Sequence, residues 1–200
     1  MGQRLPIIWS FSRFLVATVT LCLVTPSLIS TNSPNSATDL QGRPVDPFRT
    51  AHGKLVVLIF IRTDCPISNR YAPVIQQISA QHQDKTSFFL VYPSKRETPS
   101  LIRKHDQEFG FGPTFAALRD PQHILVKKSQ AQITPEAAVF DAHQRLIYHG
   151  RIDNLYEDFG HSRRTATTHD LADAIEAAIA GRTLTGKPTP AVGCYISDLE

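Results

Sequence analysis

Two cysteines beyond residue 30 are the side chains best suited to chemistry. Cys65 follows the apolar run 55–61 and precedes Pro66, which can occupy the first turn of a helix. A cysteine at a helix start faces unsatisfied backbone N–H groups and the positive end of the helix dipole, and both favour the thiolate. We therefore predict that Cys65 is a nucleophilic, oxidisable thiol at an exposed strand-to-helix turn. The alternative is an inert cysteine buried in the core.

Cys194 lies in a C-terminal tail rich in Thr, Pro and Gly, next to the apolar residues Val192, Tyr195 and Ile196. These apolar neighbours predict that the tail docks on the domain. Cys194 then resolves an oxidised Cys65 by forming a disulfide, holds a permanent bridge, or stays a free thiol. A bridge to Cys65 would close a loop of about 130 residues and stabilise the fold by about 4–5 kcal/mol.

Arg62 adjoins the predicted turn, and its side chain can point either way from the end of a strand. If it faces the Cys65 thiol, it stabilises the thiolate and polarises a bound oxidant. If it faces outward, it is an ordinary surface arginine. The sequence leaves both orientations open.

The elements that position these residues follow a βαβα order. The apolar run 55–61 predicts a central strand, and a helix follows from Pro66 to about residue 83. A second strand at 87–92 and a helix opened by Thr98 continue the pattern, which implies parallel strands with right-handed crossovers. The sequence therefore predicts an α/β fold.

Further elements are predicted on both sides of this unit. The stretch 39–45 carries a Gln-Gly turn typical of a hairpin, and 110–134 predicts an extra strand and a helix from 121 to about 128. Strands at 137–140 and 145–149 form an antiparallel hairpin around a four-residue turn. A final amphipathic helix is predicted to be capped by Thr168 and ended by Gly181.

Residues 1–30 have the composition of a signal peptide. They carry two arginines, no acidic residue and the apolar run 14–24, which is shorter than the ~20 residues a spanning helix needs. We predict an exported protein, periplasmic or extracytoplasmic, soluble after cleavage and without a stable membrane anchor. Residues 31–38 are then a linker, 39–181 the domain and 182–200 the tail.

The charge of the cleaved chain points to no charged macromolecule. Without residues 1–30, 19 Lys and Arg face 18 Asp and Glu, a net charge of +1. We therefore predict no nucleic-acid partner.

Four features together resemble the thioredoxin superfamily over roughly residues 39–181. They are a buried strand, the turn Thr63-Asp-Cys-Pro66, Pro73 in the following helix, and Ile133-Thr-Pro-Glu136 before a final hairpin. The resemblance implies a thioredoxin-like fold with a central mixed β-sheet flanked by helices. It also implies that Pro135 lies beside the reactive sulfur, usually in the cis form, and that the backbone of Thr134 binds an extended substrate chain.

Two segments, 64–71 and 150–154, look most like bacterial exported redoxins described as peroxiredoxin-like (AhpC/TSA class). This resemblance implies that Cys65 attacks a peroxide or another oxidant, that Cys194 resolves the product, and that an external thiol reductant protein restores the thiol. No cofactor is implied. Arg62 and Thr63 would assist by charge and hydrogen bonding.

The chain departs from the patterns of both groups. Ser68 stands where a Cys-x-x-Cys motif has its second cysteine, so disulfide exchange within that motif is impossible. Arg62 and Leu58 stand where a peroxiredoxin motif Pro-x-x-x-Thr-x-x-Cys has its Thr and Pro. The hydroxyl that contacts peroxide in that motif is therefore missing, unless Thr63 or Ser68 supplies it.

Two alternatives of another class remain open. One is a non-enzymatic thioredoxin-fold module that binds a copper ion or a protein partner through Cys65 and nearby histidines. The spacings of His149, His161 and His169 match no recognised zinc or copper pattern, so we predict no metal site. The other alternative is a catalytically silent fold used for docking.

Overall fold

A computed structural model of the chain describes residues 1–3, 33–184 and 188–197. All but the first three residues of the predicted signal peptide lie outside the described residues. No helix within these ranges has the length and apolar character needed to cross a membrane.

Eleven strands and six helices are assigned within residues 33–184 and 188–197. Their order is β1 (Ala37–Thr38), β2 (Pro44–Val45), α1 (Pro47–Thr50), β3 (Leu55–Phe60), α2 (Pro66–Arg70), α3 (Ala72–His82), β4 (Thr86–Tyr92), α4 (Pro99–Glu108), β5 (Ala116–Arg119), α5 (Ile124–Ser129), β6 (Ile133–Thr134), β7 (Glu136–Phe140), β8 (Leu146–Gly150), β9 (Tyr156–Asp158), β10 (His161–Ser162), α6 (Asp170–Ile179) and β11 (Cys194–Tyr195).

Seven strands form a central mixed sheet in the order β2-β1-β5-β4-β3-β7-β8. Strands β3, β4 and β5 run parallel, whereas β7 runs antiparallel to β3 and β8 antiparallel to β7. The predicted α/β class, the parallel unit and the final hairpin are therefore confirmed. Two further pairs, β9 with β10 and β6 with β11, lie outside this sheet.

Strand β3 is buried on both faces and carries the chain to Cys65. Val57 and Ile59 point into a cluster that also holds Cys65, Ile67 and Ile75. The alternate residues Val56, Leu58 and Phe60 point into a second cluster on the opposite face. This two-sided burial explains the unbroken apolar run in the sequence.

The helix predicted from Pro66 to about residue 83 is interrupted just before Pro73. Helix α2 ends at Arg70, α3 begins at Ala72, and Pro73 occupies one of the first two positions of α3. A proline at the start of a helix lacks an N–H that would have no intrahelical partner there. The break therefore accommodates Pro73 without the cost of a proline in a helix interior.

Three predicted boundaries differ from the structure. Strand β1 begins at Ala37, inside the predicted linker, because it pairs with β2 and β5. Helix α5 begins at Ile124, where the carboxylate of Asp120 accepts the first backbone N–H groups. The prediction that Thr168 caps α6 is wrong, since its hydroxyl donates instead to the carboxylate of Asp170 at 2.7 Å and His169 precedes the helix.

A buried hydrogen bond ties the helix break to the loop after β8. The hydroxyl of Tyr71 donates to Oδ1 of Asp153 at 2.6 Å, and both residues are about 95% buried, with exposures of 4% and 5%. The same oxygen accepts the backbone N–H of Leu155 at 2.8 Å. Residues 70–72 and 153–155 are thereby fixed against each other.

Tyr71→Phe is expected to lower the free energy of unfolding by about 1–3 kcal/mol, because a buried carboxylate loses one of its donors. Urea denaturation of the purified protein measures this change. The matched control is Tyr195→Phe, whose side chain is 75% exposed and which should leave the midpoint unchanged. Equal midpoints for both variants would contradict a stabilising role for this hydrogen bond.

Candidate functional site

Cys65 lies directly before α2, with an extended backbone (φ −92°, ψ 109°) and its carbonyl accepting the N–H of Asn69 at 3.1 Å. Its placement at the strand-to-helix turn is as predicted. The prediction that the turn exposes it is wrong, because Cys65 has 0% relative exposure. Part of the cover comes from the tail, since Val192 and Cys194 pack against the cluster that contains Cys65.

The backbone of Thr134 is the immediate partner of the Cys65 thiol. Sγ of Cys65 donates to the carbonyl oxygen of Thr134 at 3.2 Å, and the peptide bond between Thr134 and Pro135 is cis. The carboxylate of Glu136 holds this loop in place by accepting the backbone N–H groups of Gln132 and Ile133 at 2.8 and 3.1 Å. Thr134 and Pro135 therefore lie beside the sulfur, as the resemblance implied.

The edge of Thr134 is occupied by the chain's own tail. Strand β11 pairs antiparallel with β6, which places Cys194 opposite Thr134 and Tyr195 opposite Ile133. The hydroxyl of Thr134 donates to the carbonyl of Cys194 at 3.2 Å, and the N–H of Ile196 donates to the carbonyl of Gln132 at 2.8 Å. The predicted docking of the tail thus brings the second cysteine to the first.

The two thiols are both free and perturb each other. Burial raises the pKa of Cys65, but hydrogen bonds from the Cys194 side chain and from Ser68 outweigh it, so that this pKa lies below its ordinary value. Burial, the hydrogen bond to Cys65 and the negative charge on Cys65 raise the pKa of Cys194. Of the two thiols, Cys65 is therefore the easier to ionise and Cys194 the harder.

Ser68 and Thr63 were both candidates to supply a hydroxyl to the sulfur. Ser68 is 1% exposed, and its side chain and backbone lower the pKa of Cys65, while its Oγ accepts the backbone N–H of Arg62 at 3.5 Å. Thr63 instead contacts Glu97. Oε1 of Glu97 accepts the backbone N–H of Thr63 at 2.6 Å, and Glu97 also interacts with the hydroxyl of Thr63. Ser68, and not Thr63, therefore acts on the Cys65 sulfur.

Arg62 lies between the two orientations that the sequence left open. Its guanidinium pairs with Asp64 at 2.7 Å, and 23% of its side chain is exposed. Its positive charge also reaches Cys194, where it opposes the rise in pKa caused by burial and by Cys65. Arg62 therefore acts on the second thiol of the pair.

A hydrogen-bonded chain supports the turn from behind. Nδ2 of Asn69 donates to the carbonyl of Thr63 at 3.3 Å, and its Oδ1 lies 2.9 Å from Nε2 of His105. Nδ1 of His105 lies 2.9 Å from the hydroxyl of Tyr92, which donates to Asp106 at 2.8 Å. This chain connects the turn before Cys65 to both α4 and β4.

The sequence analysis missed two residues of this site, Glu97 and Gly193. Glu97 is 4% exposed and burial raises its pKa, yet nothing in the sequence marks it as the acceptor for Thr63. Gly193 runs so close to β6 that an added Cβ would lie 2.1 Å from the carbonyl oxygen of Thr134. A glycine directly before a cysteine in an apolar segment was the available signal for Gly193.

No group of three or more His, Cys, Asp or Glu side chains suited to a metal ion occurs within residues 33–184 and 188–197. Nδ1 of His149, in β8, lies 3.5 Å from Oε1 of Glu136, in β7. A metal ion at the site itself would find two sulfur donors, Cys65 and Cys194.

Solved structures share this architecture at low sequence identity. A hypothetical protein from Sinorhizobium meliloti 1021 has a TM-score of 0.69 and 21% identity over 80% of this chain and 88% of its own. A secreted Mycobacterium tuberculosis disulfide oxidoreductase homologous to Escherichia coli DsbE has a TM-score of 0.52 and 20% identity over 71% and 94%. The thioredoxin domain of a thiol-disulfide oxidoreductase from Bacteroides vulgatus has a TM-score of 0.51 and 16% identity over 76% and 99%.

These similarities and the central mixed sheet show that the chain has a thioredoxin-like fold, as predicted. No protein-family model matches the chain, and no curated protein sequence matches it significantly.

Ser68→Ala is expected to raise the pKa of Cys65, because the thiolate loses a hydrogen bond that favours it. At neutral pH a smaller fraction of Cys65 is then ionised, and alkylation slows. The pH dependence of iodoacetamide labelling, scored on the Cys65 peptide by mass spectrometry, measures the shift. Ser100→Ala, an exposed serine in α4, is the matched control and should leave the profile in place. An unchanged profile in Ser68→Ala would show that the hydroxyl has no effect on the thiolate.

Proposed function

We propose that this protein is an exported thiol–disulfide oxidoreductase in which Cys65 is the nucleophile and Cys194 the resolving cysteine. The observation that carries the proposal is the pairing of β11 with β6, which places Cys194 opposite Thr134, the residue whose carbonyl accepts the Cys65 thiol; the opposite pKa shifts of the two thiols support it. The signal-peptide composition of residues 1–30 supports export. Such a pair supplies an attacking sulfur and, on the opposing strand, a second sulfur to complete the exchange.

The first step is attack on a disulfide of a partner protein. The Cys65 thiolate forms a bond to one sulfur of the partner's disulfide, and the other partner sulfur leaves as a thiolate that takes up a proton. Ser68 stabilises the Cys65 thiolate before the attack. The product is a mixed disulfide between Cys65 and the partner.

The second step releases the partner. Cys194 loses its proton and attacks Sγ of Cys65, which forms the Cys65–Cys194 disulfide and expels the second partner sulfur as a thiolate. The two protein thiols have then lost two electrons, and the partner disulfide has gained them. An external thiol reductant protein returns the site to the dithiol form by the reverse exchange.

The electrostatics of the pair favour this order of events. Besides burial, the hydrogen bond to Cys65 and its negative charge keep the pKa of Cys194 high. Both of these effects end once Cys65 is part of a mixed disulfide. Cys194 therefore becomes easier to ionise at the stage when its attack is required.

The placement of the helpers favours disulfide exchange over peroxide reduction. Peroxide chemistry would convert Cys65 to a sulfenic acid with release of water or an alcohol, and Cys194 would then form the disulfide with release of water. Thr63, however, is engaged with Glu97, and Arg62 pairs with Asp64. Ser68 alone of the expected helpers lowers the pKa of Cys65.

The full-length protein treated with oxidised glutathione is expected to form the Cys65–Cys194 disulfide through a mixed disulfide at Cys65. Cys194→Ser should accumulate glutathione on Cys65, because the resolving sulfur is missing, and Cys65→Ser should form neither product. Peptide mapping by mass spectrometry identifies each species. Ser replaces Cys with little change in size, so each of the two variants is the matched control for the other.

Three results would contradict the proposal. Faster oxidation by equimolar hydrogen peroxide than by oxidised glutathione would indicate a peroxidase. A Cys65 that resists both oxidants while the protein binds one equivalent of Cu(I) would indicate a metal-binding module. Resistance to both oxidants without metal binding would indicate a docking fold.

A further inference from the structure

Strand β11 is the one strand hydrogen-bonded to β6 in the part of the chain that is described. The pairing covers two residues on each side, Cys194 with Thr134 and Tyr195 with Ile133. If β11 left, the backbone groups of β6 would be open to another extended chain. The tail therefore occupies a position that a second polypeptide can take.

Besides its pairing with β6, the tail has an anchor on each side of Cys194. Ile196 inserts into the second core cluster with 5% exposure, whereas Tyr195 is 75% exposed. Further back, the carbonyl of Thr189 accepts the N–H of Arg151 at 3.1 Å. Between these two anchors the chain passes over Cys65, which has no exposed surface. A protein disulfide can reach Cys65 only after β11 has moved aside.

Where the tail crosses Thr134, there is room for its backbone but not for a side chain. A Cβ on Gly193 would lie 2.1 Å from the carbonyl oxygen of Thr134, 2.8 Å from its carbonyl carbon and 3.1 Å from Cγ2 of Ile133. Two of these three atoms belong to the backbone, so a rotamer change cannot relieve the collision. Any chain that crosses in this register needs glycine at the residue before its cysteine.

We propose that the Thr134 edge takes, in place of the tail, an extended partner segment in which glycine immediately precedes the reacting cysteine. This inference rests on the proposed function. To meet Cys65 in the antiparallel register of β11, the partner's sulfur must take the place of the Cys194 sulfur. The residue before it then faces the Thr134 carbonyl, where a side chain is excluded. The tail therefore has the same Gly-Cys sequence as the partner segment whose binding it blocks.

Two hexapeptides test the glycine requirement: Ala-Val-Gly-Cys-Tyr-Ile, copied from residues 191–196, and Ala-Val-Ala-Cys-Tyr-Ile. Each carries its cysteine as a mixed disulfide with thionitrobenzoate. The full-length Cys22→Ser, Cys194→Ser variant, whose one remaining cysteine is Cys65, attacks the peptide sulfur, forms the Cys65–peptide disulfide and releases coloured thionitrobenzoate. The glycine peptide is expected to react about 10-fold faster or more, the discrimination typical of one excluded methyl group. Reaction of both peptides with glutathione corrects for their intrinsic reactivity.

Gly193→Ala tests whether the tail shields Cys65. The added methyl group should displace β11 and speed iodoacetamide labelling of Cys65 by about 10-fold or more. The matched control is Gly112→Ala, because no atom lies within 4 Å of a Cβ at Gly112. Near-equal labelling in Gly193→Ala and Gly112→Ala would overturn the shielding role.

The outcomes separate this inference from the proposed function. Equal rates for the two peptides, with Cys65 reactive toward both, would overturn the glycine requirement and leave the oxidoreductase intact. A Cys65 that reacts with neither peptide nor with oxidised glutathione, even in Gly193→Ala, would overturn the proposed function itself.

Discussion

The pairing of β11 with β6 around Thr134 is the contact on which the site depends. One residue serves both cysteines, because its carbonyl accepts the Cys65 thiol while its hydroxyl donates to the carbonyl of Cys194. The loop that presents Thr134 is held by Glu136, whose carboxylate accepts two backbone N–H groups. The two cysteines are 129 positions apart in the sequence, and this arrangement is what brings their sulfurs close together.

The opposite pKa shifts of the two thiols follow from their unequal surroundings. Cys65 is more deeply buried, yet it receives hydrogen bonds from Ser68 and Cys194 that stabilise its charge. Cys194 is less buried, but it faces the negative charge that its partner carries. Desolvation is thus outweighed at one sulfur and reinforced at the other. The difference between the pKa values of the two thiols results from these neighbours and not from the cysteines themselves.

The sequence predicted well what depends on short-range pattern. The apolar run of β3, the turn at Cys65, the break near Pro73 and the last hairpin all have local signals, and the structure confirms them. The sequence could not predict which hydroxyl acts on Cys65. Both Thr63 and Ser68 are near Cys65 in the sequence, and only the folded turn determines which of them lies beside its sulfur. Nor could the sequence predict the burial of Cys65, which depends on a two-residue pairing between distant segments that carry no periodicity.

If a partner segment takes the Thr134 edge, as proposed, it must compete with the tethered strand β11. A strand attached to its own binding site acts at an effective concentration on the order of millimolar, because it returns each time it leaves. A free partner present at far lower concentration cannot displace it by non-covalent affinity of ordinary strength. Capture must then be kinetic: a brief opening of the Thr134 edge, followed by a covalent sulfur–sulfur bond that holds the partner. In such a protein, selectivity is set by which sulfur arrives in the correct geometry during the opening, and equilibrium binding of the reduced forms reveals little about it.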